Sequence, residues 1–265
     1  MGNNTGIEWT DATWNPTTGC TKVSAGCDNC YAEELANRLL ADSYTKQLPV
    51  VDTQKNREDP FAPRIWPERL SKPAEWSEPR RVFVDSMSDL FHKDFPEEFV
   101  RHCFEVMLSI DRHVYQVLTK RPARAARFIN EKYADLFPEG GLPDHIWIGT
   151  SVENQEVDYR IRHLADVRAQ VRFLSCEPLI GPLDLEGTGF ADGIHWVIVG
   201  GESGPERRPM RKCWVETIRD QCVEAGVAFF FKQWGGRTPK SNGRQLDGRE
   251  WNEMPVQRTT VAEVA

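Results

Sequence analysis

No stretch of this chain approaches the roughly 18 consecutive apolar residues of a membrane-spanning helix, so no membrane partner is expected. The opening MGNNTGIEWTD lacks the basic and apolar segments of a secretory signal, and a cytoplasmic protein is the expectation. An excess of positive charge is missing too. Lys and Arg number 33 against 40 Asp and Glu, a net charge of -7, which argues against a surface that coats nucleic acid by charge alone and leaves room only for a local basic groove. No segment repeats at a fixed length. Core-forming material is not lacking: 40% of residues are apolar, with 13 Phe and 9 Trp, which excludes disordered and fibrous classes, and 265 residues suit one α/β domain. The seven cysteines are an odd number, better suited in a reducing compartment to metal ligands, reactive thiols or small buried groups than to disulfides. Cys20, Cys27 and Cys30 are clustered, while Cys103, Cys176, Cys213 and Cys222 are scattered.

From residue 81 onward, short and nearly continuous apolar runs alternate with stretches of helical spacing: 82–84, 114–118, 146–148, 171–174, 196–199 and 228–231. Continuous apolarity is what a parallel strand covered on both faces shows. Helices are predicted where Phe99, Cys103, Phe104, Met107 and Leu108 form one face behind Pro96-Glu97-Glu98, and over about 122–134, 154–166 and 212–225, the last closed by Gly226. With a further strand around Ile7 to Trp14, the pattern predicts a partial (β/α) barrel of about six or seven parallel strands, a doubly wound open sheet being the alternative. Residues 1–236 would form the barrel. The charged, proline-rich 42–80 segment would be an insertion or lid, and 237–265 an irregular tail.

The strongest local signal is Thr18-Gly19-Cys20-Thr21-Lys22-Val23-Ser24-Ala25-Gly26-Cys27-Asp28-Asn29-Cys30-Tyr31-Ala32, between the first strand and a helix over Ala32 to Leu40. Six residues separate the first two cysteines and two the second pair, so Cys27 and Cys30 can clasp one centre while the loop brings Cys20 to it. Thiolates suit zinc, copper(I) or iron–sulfur clusters. Zinc would need a fourth ligand, which neither His102 nor Cys103 is placed to supply. A cubane cluster on three cysteines would leave one iron open.

These residues resemble the cluster loop of the radical S-adenosylmethionine (SAM) superfamily, and the resemblance extends over the following helix and the strand–helix rhythm. The whole chain is also similar to a phage-associated family known for this three-cysteine motif, through the stretches 149–155, 176–183, 200–204 and 231–236. The superfamily implies a [4Fe-4S] cluster on Cys20, Cys27 and Cys30, SAM at the open iron, a 5′-deoxyadenosyl radical that abstracts hydrogen, and a reductant such as flavodoxin or ferredoxin. Its usual first spacing is three residues, and its Gly-Gly-Glu stretch follows the second strand. Here that position holds Asp85, Ser86, Ser88 and Asp89, the polar replacement for SAM binding.

Barrel enzymes carry reactive groups at the C-terminal strand ends. Beyond Asp85 and Asp89 those ends carry Thr119-Lys120-Arg121, Thr150-Ser151 with Glu153, Ser175 with Glu177, Glu202 with Ser203, and Lys232-Gln233. Lys120, Glu153, Glu177 and Lys232 are the candidate catalytic residues, and Arg121, Thr150, Ser151 and Gln233 the candidate substrate ligands. Gly200 and Gly201 would allow close backbone approach to adenosine or substrate beside Glu202. Trp9, Trp14 and Trp234 would fill the barrel ends or stack on a base. Cys176 should face away from the mouth, and Cys103, Cys213 and Cys222 should pack. The phage association, the Lys120-Arg121 pair and these aromatics suggest a nucleotide or nucleic-acid substrate. Two rivals stand beside this reading: a zinc-stabilised nucleic-acid or partner-binding module, and a cluster-free barrel hydrolase with Glu177 or Asp85 as base.

Overall fold

The structure is a computed structural model that describes residues 5–138 and 140–255. Its centre is a parallel sheet of seven strands: β1 Ala12–Trp14, β4 Arg81–Val84, β5 Val114–Thr119, β6 Ile146–Ser151, β7 Arg172–Cys176, β8 Trp196–Gly200 and β9 Ala228–Gln233. The order is β1-β4-β5-β6-β7-β8-β9, every pair parallel. Spatial order follows chain order without reversal, so there is no switch point and the doubly wound alternative fails. The chain is an α/β protein with a partial barrel. The first strand is shorter than expected because the chain turns at Ile7–Thr10 and tucks Trp9 under the sheet.

Two short strands, β2 Thr17–Thr18 and β3 Arg64–Ile65, pair antiparallel outside this sheet. Helices α1 Tyr31–Leu35, α2 Ala41–Tyr44 and α3 Gln54–Glu58 lie between them in the chain. The helices α4 Glu97–Ser109, α5 Pro122–Arg127, α6 Tyr159–Ala165, α7 Phe190–Gly193 and α8 Lys212–Ala225 follow their strands, and Gly226 ends α8 in the left-handed conformation. A final hairpin joins β10 Gln245–Leu246 to β11 Arg249–Glu250. Of the expected tail at 237–265, residues 256–265 lie outside the described residues. Among the described residues no helix is long and apolar enough to cross a membrane.

Alternation along the strands builds two layers. Val82, Val84, Val117, Ile148, Leu174, Cys176, Val197, Val199, Phe229 and Phe231 face the helices. On the other face Trp9, Phe83, Trp147, Phe173, Trp196 and Phe230 form a second aromatic cluster. Trp147, Phe173 and Trp196 stand at or next to the start of their strands, so this cluster is a floor. Toward the C-terminal ends the inner face changes to Ser151, Ser175 and Gly200, and the space above the floor is the mouth. Trp9 therefore belongs to the floor and not the mouth. Trp14 is buried among the helix-side residues, and Trp234 packs on Phe231. Cys103, Cys176 and Cys222 are buried, whereas Cys213 is exposed on α8, contrary to the packing role expected of it.

The segment at 42–80 packs against the cysteine loop and the helix that follows it, through Tyr44, Phe61 and Trp66. Its Arg64 is fully buried and donates to the carbonyls of Gln47, Asn56, Asp59 and Ala62. Trp66 Nε1 donates to Thr18 Oγ1 at 2.8 Å, and the Cys20 amide donates to the Phe61 carbonyl at 3.2 Å.

Candidate functional site at the barrel mouth

The cysteine loop lies across the C-terminal strand ends and is tied to four of them. After β4, the Ser86 carbonyl accepts a hydrogen bond from the Tyr31 hydroxyl. After β5, Arg121 donates through Nη2 to the Thr21 carbonyl at 3.1 Å and to Thr21 Oγ1 at 3.3 Å. After β6, Glu153 accepts from Ser24 Oγ at 3.3 Å. After β8, Glu202 accepts from Asn29 Nδ2 at 3.1 Å, and Arg208 donates to the Ala25 carbonyl at 2.8 Å. Gly26 is required at its place, because a Cβ there would fall 2.4 Å from Glu153 Cγ.

Glu153 is the deepest of these anchors, its side chain 1% exposed. It pairs with Arg160 at 3.0 Å and with Lys120 at 3.3 Å. Arg160 is equally buried and also donates to the Ser151 carbonyl. Lys120 Nζ reaches Ser151 Oγ at 3.1 Å, which places both on the mouth's inner wall. Across the mouth, Lys232 and Glu177 form a looser pair at 3.4 Å, partly open to solvent. A Cβ on Gly200 would fall 2.3 Å from Glu177 Oε1, so the glycine makes room for that carboxylate rather than for a ligand.

Of the other expected cofactor ligands, Asp89 is fully engaged, accepting from Thr119 Oγ1, Lys120 N, Phe91 N and Arg121 Nη1. Glu202 is held bidentately by Arg208, at 2.6 and 3.0 Å. Burial pushes the Glu202 carboxyl up, but the Arg208 and Asn29 bonds outweigh it and hold the group below the ordinary carboxylate range. Ser86 Oγ donates to Asn15 Oδ1, and Ser88 Oγ shares a 2.7 Å hydrogen bond with Thr17 Oγ1. Thr150 Oγ1 donates to the Thr119 carbonyl within the sheet. Gln233 faces outward and binds Ser203 Oγ and the Gly201 carbonyl, while the Gly201 amide donates to the Gln233 carbonyl. The structure thus gathers Lys120, Ser151, Glu153, Glu177 and Lys232 on the inner wall and uses Thr150, Gly201 and Gln233 within the scaffold.

Asp85 is 2% exposed and holds φ of 60°, a left-handed conformation that Asp and Asn tolerate best among residues with side chains. It accepts from Thr17 N and Thr17 Oγ1, fixing the β1–β2 turn to the end of β4. Burial pushes its carboxyl up to about 7, against the hydrogen bonds from Thr17 and Ser88. A folded-state pKa above the ordinary 3.8 means that the native state binds the proton more tightly. The resulting stabilisation is present below pH 4 and is lost as pH rises through 7. The wild-type protein should lose about 3 kcal/mol of stability between pH 5 and 8 from this group. Asp85→Asn, which keeps the φ and both partners, should flatten that part of the profile. Urea unfolding at the two pH values measures it, and equal slopes in wild type and variant would refute it.

The three thiols are partly buried and unpaired by any disulfide. Cys20 Sγ lies 3.5 Å from the Thr21 carbonyl and 3.6 Å from Arg121 Nη1, and Cys27 Sγ 4.0 Å from Ser24 Oγ. Burial, reinforced by the Asp89 charge, pushes the Cys20 thiol up to about 11, and Arg121 pulls it the other way. Among the described residues no three His, Cys, Asp or Glu side chains are gathered to hold a metal ion. The donor set nonetheless fits a soft centre by its chemistry: three reduced thiols on one glycine-bearing loop, next to an arginine that offsets anionic sulfur.

Sequence reasoning missed Ser24, Asn29, Arg160 and Arg208. Arg160 had a visible signal, being a charge in phase with the apolar Val157, Ile161 and Leu164. The other three had none.

No curated protein matches the chain. A solved structure of "Spore photoproduct lyase complexed with dinucleoside spore photoproduct" is similar at 12% identity and a TM-score of 0.41, over 78% of this chain, which spans 59% of the lyase's length. A family model described as "Protein of unknown function (DUF5131)" matches residues 4–255, and the chain belongs to that family.

Proposed function

We propose that this protein is a radical-SAM-like iron–sulfur enzyme acting on a small polar substrate at the barrel mouth. The observation that carries the reading is the set of three unpaired thiols on one loop, anchored to four strand ends directly above the inner wall. Cys20, Cys27 and Cys30 would hold a [4Fe-4S] cluster, the cysteine loop drawing its three thiols toward a common point as metal arrives while Arg121 stays beside Cys20. With SAM at its open iron, that cluster would supply reductive cleavage of the sulfonium and a 5′-deoxyadenosyl radical, given an electron from a reductant such as flavodoxin or ferredoxin.

The chain's own part is binding, orientation and exclusion of water. The aromatic floor closes the lower end of the site. Glu177 and Lys232, a loose and partly exposed pair, can part to take an ammonium and a carboxylate, or a donor and an acceptor, from a ligand. Lys120 and Ser151 offer hydrogen bonds opposite them. Each of the mouth cations Lys120, Arg121, Arg160, Arg208 and Lys232 already faces a carboxylate. That balance supports a nucleoside-sized neutral or zwitterionic substrate over a phosphate backbone, which is bound by uncompensated positive charge.

Anaerobic preparation with iron and sulfide should give a brown protein with about four irons per chain, and reductant with SAM should release 5′-deoxyadenosine. A colourless protein with one zinc would overturn the reading in favour of a structural metal. A fully loaded cluster that releases no 5′-deoxyadenosine would overturn the chemistry.

A further inference from the structure

We infer that Arg121 is a positioning residue for the sulfur centre, not a substrate ligand, and that its N–H···S bond to Cys20 raises the reduction potential of the cluster. The inference rests on the proposed reading of the three-cysteine loop and adds to it the residue that sets the loop's electrostatics.

The guanidinium is committed on two nitrogens. Nη1 lies 2.7 Å from Asp89 Oδ2 and 3.6 Å from Cys20 Sγ, while Nη2 binds both oxygens of Thr21. Its supports are themselves fixed. Asp89 is held by the amides of Phe91 and Lys120 and by the Thr119 hydroxyl. Thr21 Oγ1 lies 2.8 Å from His92 Nε2. Since His92 Nδ1 accepts from the Asp94 amide, the ring proton sits on Nε2 and is donated to Thr21. Burial and the nearby Arg121 charge hold this imidazole down at about 4, so it stays neutral and keeps that tautomer at physiological pH. With its side chain 12% exposed and its fork filled, Arg121 has no freedom to follow a substrate.

An N–H aimed at a ligating sulfur withdraws electron density and favours the more negative, reduced state of a cluster. Asp89 offsets the long-range charge of Arg121, which leaves the short, directional hydrogen bond as the main influence. A lysine, with one flexible nitrogen in place of a planar fork, cannot bind Asp89, Thr21 and Cys20 together.

The test is an anaerobic redox titration of reconstituted protein, followed by electron paramagnetic resonance. The reduction potential of Arg121→Gln should be more negative than wild type, and that of Arg121→Lys should also be lower. Thr21→Val, which removes one anchor and keeps the guanidinium, should give a smaller shift in the same direction, and it provides the reading if Arg121→Gln fails to fold. Wild type that takes up no cluster would overturn the reading of the loop and this inference with it. A wild-type cluster whose potential is the same in all three variants would overturn the inference alone.

Discussion

Replacing Cys20, Cys27 or Cys30 singly with serine should abolish the visible absorbance of reconstituted protein and lower 5′-deoxyadenosine formation by more than the roughly 10–100-fold that losing an outer partner of a metal ligand costs. The chain has no spare sulfur to take over. Cys103, Cys176 and Cys222 are buried, and Cys213 is exposed on α8, outside the mouth. Serine keeps the size of the side chain and gives up only the soft donor. The loop should stay in place, because its Ser24–Glu153, Thr21–Arg121, Asn29–Glu202 and Ala25–Arg208 anchors use no sulfur. Unfolding midpoints should therefore move by less than about 1 kcal/mol in stability. Cys213→Ser is the control and should match wild type in colour and activity. Three serine variants with wild-type activity would point instead to cluster-free chemistry on the inner wall.

The fold was legible in the chain because parallel strands buried on both faces must be almost wholly apolar. The runs at Val82, Val114, Ile146, Val171, Trp196 and Ala228 therefore mark strands without reference to their partners. The cysteine loop was equally visible, since its spacing is local. What could not be read was the direction of side chains and the closure of distant pairs. Thr150 and Ser151 are neighbours of similar chemistry, yet the pleat sends one to the Thr119 carbonyl and the other to Lys120. Gln233, next to the inward Lys232, faces outward for the same reason. Glu153 looked like a reactive carboxylate, but its partners Ser24 and Arg160 come from opposite sides in sequence, 129 and 7 residues away. Nothing local marks Arg208 as the residue that closes on Ala25 across 183 residues. The left-handed backbone of Asp85 was likewise hidden, since Asp at a strand end is an ordinary turn residue.

Glu153→Ala should be the most destabilising single change at the mouth, costing about 3–5 kcal/mol, because it strands a buried cation. Arg160 has two compensating contacts, Glu153 and the Ser151 carbonyl, and its Nε has no hydrogen-bond partner even in the wild type. Lys120, 23% exposed, can turn to water when Glu153 is removed, whereas Arg160, 1% exposed, cannot. Replacing both buried charges, as in Glu153→Met with Arg160→Met, should recover most of the lost stability, since two apolar side chains of similar volume need no counter-ion. The double variant still lacks the carboxylate on which Ser24 rests. Its cluster loading should therefore remain below wild type even though its urea unfolding is nearly restored, which separates the structural role of the pair from its role in seating the loop. Urea titrations followed by circular dichroism, paired with iron analysis of the same samples, measure both quantities. A cost below about 1 kcal/mol for the single variant would mean that Arg160 reaches solvent. Full loading of the double variant would mean that the loop is seated by its other anchors, Arg121, Arg208, Asn29 and Tyr31, without Glu153.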